Sequence, residues 1–326
     1  MDITSVGSYR FARTRADLAL APGEVVLAGG TWLMSEPQPH TTGFVDISRM
    51  EWAPIEVSSD GLRVAANCTI ARLVAWSRAN CDDDGAAQEP GRTPDTFGEC
   101  AGSSGNGRDA NVPTAPGAAA APMAPAAPAE WRALPMIEQA ANALLASFKI
   151  WNTATVGGNI CRSFAAAAMT SLAVGLDGVA EVWCPDGSGR WLPVAELITG
   201  NGTNSLTEGE ILRSIWFPAY ALRSTARLRK IALAEHGRSG SVVTGRLDED
   251  GSAVFTITAA TLTPQVLRFD ELPDGAALAS ALEQTSGYYT DPLGAADWRR
   301  ATSLVLAERI RDELQDVGVV EEVGNA

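Results

Sequence analysis

Histidine is nearly missing from this sequence. His40 and His236 are the only two, far apart in the chain, so neither a histidine metal site nor a Ser–His triad is expected. Cysteine is thinly spread: Cys68, Cys81, Cys100, Cys161 and Cys184 contain no CxxC and no zinc or iron–sulfur ligand spacing. They read as reduced, mostly buried thiols, and no metal is expected in this chain. No apolar run approaches the roughly 20 residues of a membrane span. The opening residues, MDITSVGSYRFARTRADL, lack the apolar core of a secretory signal, which points to the cytoplasm. Basic charge is also short, with 25 Lys and Arg against 39 Asp and Glu, a net charge of −14. No Lys/Arg cluster interrupts that balance, which argues against a nucleic-acid or anionic-membrane surface. A pyrophosphate would have to be held locally, by backbone dipoles more than by a general positive field.

What remains is an ordinary globular composition, 46% hydrophobic and 20% charged, over 326 residues, enough for two or three domains. Residues 82–130 are the exception, a stretch rich in Ala, Pro, Gly and Asp with Phe97, Val112 and Met123 as its only large apolar side chains. Such a segment cannot offset its ordering entropy and reads as a disordered surface insertion. Before it, strands are expected at Val25–Ala28, Phe44–Ile47 (alternating in character) and Leu62–Ala66, then a helix at Ile70–Arg78. After it, Leu134, Ile137, Ala141, Leu144, Leu145 and Phe148 share one helical face. A helix near 165–176 and strands at Val179–Trp183 and Ile211–Phe217 follow. From about residue 220 a separate unit is expected, with strands near 228–234, 240–246 and 253–260 and helices near 275–284 and 292–314.

Two glycine pairs stand where apolar segments end: Leu27-Ala28-Gly29-Gly30-Thr31 and Thr155-Val156-Gly157-Gly158-Asn159. Glycine permits positive φ and close approach of backbone N–H groups to a ligand, and successive N–H groups in a turn make an anion-binding concavity. An isolated pair is more often a plain tight turn. Neither pair is a GxGxxG, so the Rossmann fingerprint is absent.

Together with their surroundings the pairs are more specific. VVLAGGTWLM, FVDISRM, LRVAANCTIARLVAW, IWNTATVGGNIC and GRWLPVAELITGNGTNSLTEGEILRSIWFP resemble, in order, the FAD-binding domain of xanthine-dehydrogenase and carbon-monoxide-dehydrogenase flavoproteins. LRKIALAEHGRSGSVV and YYTDPLGAADWRRATSLVLAERIRDEL are similar to that family's C-terminal domain. The resemblance implies an α+β fold with a two-lobed FAD-binding domain at 1–219 (lobes 1–60 and 61–219), a small α+β C-terminal domain at 220–316 and a frayed tail at 317–326.

It further implies that FAD is the cofactor of this chain. Leu27, Ala28, Gly29, Gly30 and Thr31, with Trp32 after them, and Thr155, Val156, Gly157, Gly158 and Asn159 would wrap its pyrophosphate. Ile160 and Leu212 would pack near its ring systems, Thr69 would stand beside the site, and Lys230 would lie near the isoalloxazine. Molybdopterin and [2Fe–2S] clusters would belong to a large and a small partner subunit, assembled as a dimer of heterotrimers. The sequence departs from the family at four places: Ala168 replaces an Asp that hydrogen-bonds the cofactor, Phe164-Ala165 replaces Ser-Pro, Trp32 follows the first loop, and Ala234 replaces an Arg. One lost charge-assisted hydrogen bond is worth about 1.5–3 kcal/mol, so weaker FAD binding is expected. Two other readings stay open: a stand-alone flavin oxidoreductase, which would need an acid or base on this chain, and a flavin-depleted structural subunit.

Overall fold

The computed structural model describes residues 5–81, 125–144, 146–234 and 237–324. Most of the expected insertion, residues 82–124, lies outside the described residues, as does His236. Its last part is ordered: the Trp76 indole donates to Pro125 O at 2.8 Å, and Ala127 N donates to Asn80 Oδ1 at 2.7 Å. Residues 125 and 127 of that stretch are thus held to the preceding helix by two of its side chains.

The chain opens with a parallel sheet of β1 (Ser8–Phe11), β2 (Glu24–Leu27) and β3 (Gly43–Asp46) in the order β1-β3-β2. The central β3 is buried at every position instead of alternating, as a parallel strand covered on both faces requires. β4 (Ile55–Ser58) and β5 (Gly61–Ala65) then form a hairpin. β4 already belongs to the second sheet, so the chain changes sheets between Asp46 and Ile55.

Next come α1 (Ile70–Asn80), α2 (Pro135–Ala143), α3 (Phe148–Thr153), α4 (Val156–Arg162) and α5 (Ala168–Gly175). The helical face expected across 134–148 is thus broken after Ala143. β6 (Val179–Trp183), β7 (Gly189–Pro193), α6 (Val194–Leu197), β8 (Ile198–Gly200), β9 (Thr203–Asn204) and β10 (Ile211–Pro218) follow. They complete an antiparallel sheet in the order β4-β5-β10-β6-β7, with β8 and β9 as a separate ribbon.

After α7 (Ala219–Arg223), an antiparallel meander of β11 (Thr225–Ile231), β12 (Ser241–Leu247), β13 (Ala253–Thr258) and β14 (Gln265–Phe269) leads to α8 (Gly275–Glu283) and α9 (Ala296–Gly324). α9 runs on through most of the segment expected to fray. The alternation of strand side chains divides two cores. Val243, Phe255 and Ile257 pack with Leu306, Ala307 and Ile310 of α9. Ala226, Leu228 and Val242 join Met136, Ile137 and Leu172 in the core of the preceding domain.

A polar hub sits on that seam. Arg246, 1% exposed, donates to Gly175 O at 2.9 Å and pairs with Asp177 and with Asp248, the latter at 2.9 Å. Asp177 also accepts from Arg268 at 2.7 Å and from the Tyr220 hydroxyl at 2.8 Å. Burial alone would raise its pKa, but the hydrogen bonds from Arg268 and Arg246 outweigh burial and hold it at about 2.

Candidate functional site

β2 stops at Leu27, and the chain turns through Gly30 at φ +68°, a left-handed conformation that costs glycine nothing. Gly29 lies against the backbone just before α4: a Cβ on it would sit 1.9 Å from Thr153 O. Only hydrogen fits there. Beyond it, the backbone N–H groups of Gly29, Gly30, Thr31, Trp32 and Leu33 have no acceptor among the described residues. Water-accessible and unpaired, such a run is equipped to bind an anion.

The second glycine pair is built differently. It is not a turn but the start of α4, capped by the Thr155 side chain, which accepts from Gly158 N at 3.0 Å. Val156 N donates to Cys68 O and Gly157 N to Ala66 O, both at 2.9 Å, and Asn159 N returns to Thr155 O. Its N–H groups are therefore already used. The glycines serve close approach instead: a Cβ on Gly157 would lie 2.4 Å from the Ala66 Cβ. The Asn159 side-chain Oδ1 accepts from Met169 N at 2.9 Å, satisfying a free N–H in the first turn of α5 just after the buried Ala168.

Between these segments lies a cleft of about 450 Å3. Of the residues expected at the site, Ala28, Gly29, Gly30, Thr31, Trp32, Thr155, Gly157, Gly158, Asn159 and Leu212 line it. Val156 and Ile160 instead face the hydrophobic core, and Leu27, 7% exposed, is buried off the cleft. Thr69 caps α1, accepting from Arg72 N at 3.2 Å, and forms an isolated bridge with Thr155. Lys230 is exposed on β11 and donates to Asn142 O at 2.8 Å, so its ammonium is spent on the end of α2 and is not brought to the cleft.

Val26, Ile47, Leu144 and Leu206 give the cleft an apolar wall, a surface suited to flat ring systems. Sequence reasoning missed Arg162 and Phe164, which also line it. The Arg162 guanidinium carbon lies 3.7 Å from the centre of the Trp32 ring and 4.3 Å from that of Phe164. The only available signal was that Trp32 and Phe164 are bulky where smaller residues are usual.

An apolar wall ending in a run of unpaired N–H groups fits a dinucleotide with a central diphosphate, so the residues present suit FAD. Among the described residues, no three His, Cys, Asp or Glu side chains are grouped as a metal site would need, and no helix is long and apolar enough to cross a membrane.

Comparison with known proteins agrees with the geometry. A family described as the FAD binding domain in molybdopterin dehydrogenase matches residues 12–220. The xanthine dehydrogenase FAD-binding subunit of Escherichia coli is 33% identical over 119 residues, 33% of this chain. The chain spans 40% of the length of the curated relatives it matches. The fold is that of two solved structures covering nearly all of both chains. Quinoline 2-oxidoreductase from Pseudomonas putida aligns at TM-score 0.67 and 17% identity, over 96% of this chain and 99% of its own. CO dehydrogenase from Oligotropha carboxidovorans aligns at TM-score 0.70 and 18% identity, over 95% of this chain and 97% of its own. The chain belongs to the family of FAD-binding domains of molybdopterin dehydrogenases.

Proposed function

We propose that this chain is the FAD-binding electron-transfer subunit of a cytoplasmic molybdenum hydroxylase, an oxidoreductase whose substrate is oxidised on a partner subunit. FAD would supply the redox chemistry, taking electrons from [2Fe–2S] clusters of a small partner and passing them to an external acceptor. The carrying observation is the run of unpaired N–H groups from Gly29 to Leu33 beside an apolar cleft. Those groups would hold the diphosphate. Gly157 and Gly158 would keep the floor free of side chains, and Leu212 with Val26 and Ile47 would pack on the rings. The FAD-binding domain would comprise residues 1–219 and the second domain 220–316, the whole joining a large molybdopterin subunit and the iron–sulfur subunit as a dimer of heterotrimers.

The visible spectrum of the purified chain, followed by denaturation and identification of the released cofactor, tests this reading. Flavin bands near one per chain, released as FAD without a covalent link, are the expected result. A chain that stays colourless with excess FAD and both partner subunits supplied would defeat it. The second reading, a flavin-free structural subunit, would then lead. The pairing of every N–H group at the start of α4 within the protein favours it.

A further inference from the structure

Of the two charged residues that line the cleft, Glu210 is paired with Arg190, while Arg162 has no ion pair among the described residues. Its Nε is buried without a hydrogen-bond partner, and among the described residues no carboxylate pairs with it. Nη1 and Nη2 make no hydrogen bond among the described residues either, and as the outer nitrogens of the fork they are the donors left for a ligand or a water. Burial pushes its pKa down, and Glu36 offsets this only through space. Such a position is notable in a chain with a net charge of −14, where acidic partners abound.

The guanidinium is also fixed in place. It packs against the rings of Trp32 and Phe164, at 3.7 and 4.3 Å from their centres, contacts that use no N–H hydrogen bond. The backbone that carries it is pinned from below. Asn204 Nδ2 donates to Cys161 O at 2.8 Å and to Ser163 Oγ at 3.1 Å, and Ser163 is held in the left-handed region at φ 55°. Gly202 N donates to Ser163 O at 2.7 Å, and Ala165 N to Asn201 Oδ1 at 3.0 Å. Trp32, the ring nearest the guanidinium, belongs to the same run of unpaired N–H groups. A planar cationic fork and the unpaired N–H groups thus line the same cleft, joined through the Trp32 ring, together with its apolar wall.

We infer that Arg162, held by Trp32 and Phe164, is a binding residue for the diphosphate of the dinucleotide, working together with the N–H groups of Gly29 to Leu33. The inference rests on the FAD reading and adds to it a cation that the family resemblance did not supply. It also joins two of the sequence's departures, Trp32 and Phe164, into one device. Affinity that the usual Asp would provide at position 168 is gained here from a charged donor aimed at phosphate.

The test is equilibrium binding of FAD, ADP and riboflavin to the full chain and to Arg162→Gln and Arg162→Lys, with thermal melting as a check on folding. Arg162→Gln should weaken FAD and ADP by about 10- to 100-fold while riboflavin, which has no phosphate, changes little. Arg162→Lys should fall between, keeping the charge but losing the fork and the stacking. The salt dependence of FAD binding should flatten in Arg162→Gln. Wild-type FAD affinity in a folded Arg162→Gln protein would overturn the inference and leave the FAD reading standing. Equal losses for riboflavin and FAD would overturn it too, because the side chain would then only shape the cleft. A wild-type chain that binds neither FAD nor ADP would remove both.

Discussion

Replacing Gly29 by alanine tests whether the two glycine-bearing segments form one wall of one site. The added Cβ would lie 1.9 Å from Thr153 O, 2.7 Å from Thr153 C and 3.1 Å from Ala154 Cα. All three are backbone atoms, so no side chain can rotate aside. Ordinary carbon contacts begin near ~3.5 Å, and the segments must therefore part by about 1.5 Å. Overpacking of this kind costs ~1–3 kcal/mol, and backbone against backbone puts Gly29→Ala at the upper end. At about 2–4 °C per kcal/mol, the melting temperature should fall by roughly 5–10 °C. The run of free N–H groups rides on the displaced loop, so the FAD dissociation constant should rise about tenfold or more in the same variant. The assay is differential scanning fluorimetry with and without excess FAD, together with a flavin-fluorescence titration. Gly275→Ala, where the new Cβ meets nothing within 4 Å, is the control and should melt like wild type or slightly higher. If Gly29→Ala melts within about 2 °C of wild type and binds FAD as tightly, the account of that wall is wrong.

Asp177→Asn should cost about 3 kcal/mol in urea unfolding, because Arg246, 1% exposed, would keep Asp248 as its only carboxylate. The acid limb carries the same pair. Asp177 is held at about 2, below its unfolded value, so its stabilisation is full above about pH 4 and is lost as pH falls through about 2. That contribution is about 2 kcal/mol at neutral pH, and denaturation midpoints between about pH 5 and 2 should fall less steeply in Asp177→Asn than in wild type. Burial pushes the Cys68 thiol up to about 12, so a disulfide reagent at mildly alkaline pH should leave it untouched until the chain unfolds. Rapid labelling of Cys68 in the native protein, read by peptide mass, would contradict its burial.

Some strands were legible: β5 follows from the Asp60-Gly61 turn before it, and β6 from its β-branched Val179 and Val182 with the turn after it, whereas β1, β4 and β7 were not expected. β14 was missed, because its five residues follow Pro264 and show little alternation, and only pairing with β13 makes them a strand. The second glycine pair misled for a related reason. Two adjacent glycines disfavour a helix locally, yet acceptors from Cys68 and Ala66, distant in sequence, and the Thr155 cap hold α4 together. The glycine half of the site could be read because it is a local pattern. Arg162 could not, since its meaning depends on Trp32 in another lobe. Lys230 is the opposite case: its place is set by β11, where it donates to Asn142 O at 2.8 Å and does not line the cleft.

Strands β11 to β13 of the meander are covered on both faces, with α8 and α9 on one side and α2 and α5 on the other. A cut near residue 220 would therefore divide the chain without dividing the protein. The excised N-terminal piece would show water the faces of α2 and α5 that Leu228 and Val242 now cover, and the C-terminal piece would show those residues. Each piece would lose part of the core that the two now share. Such an architecture should melt in one cooperative step, so damage on the far side of the sheet reaches the cleft through stability instead of through contact.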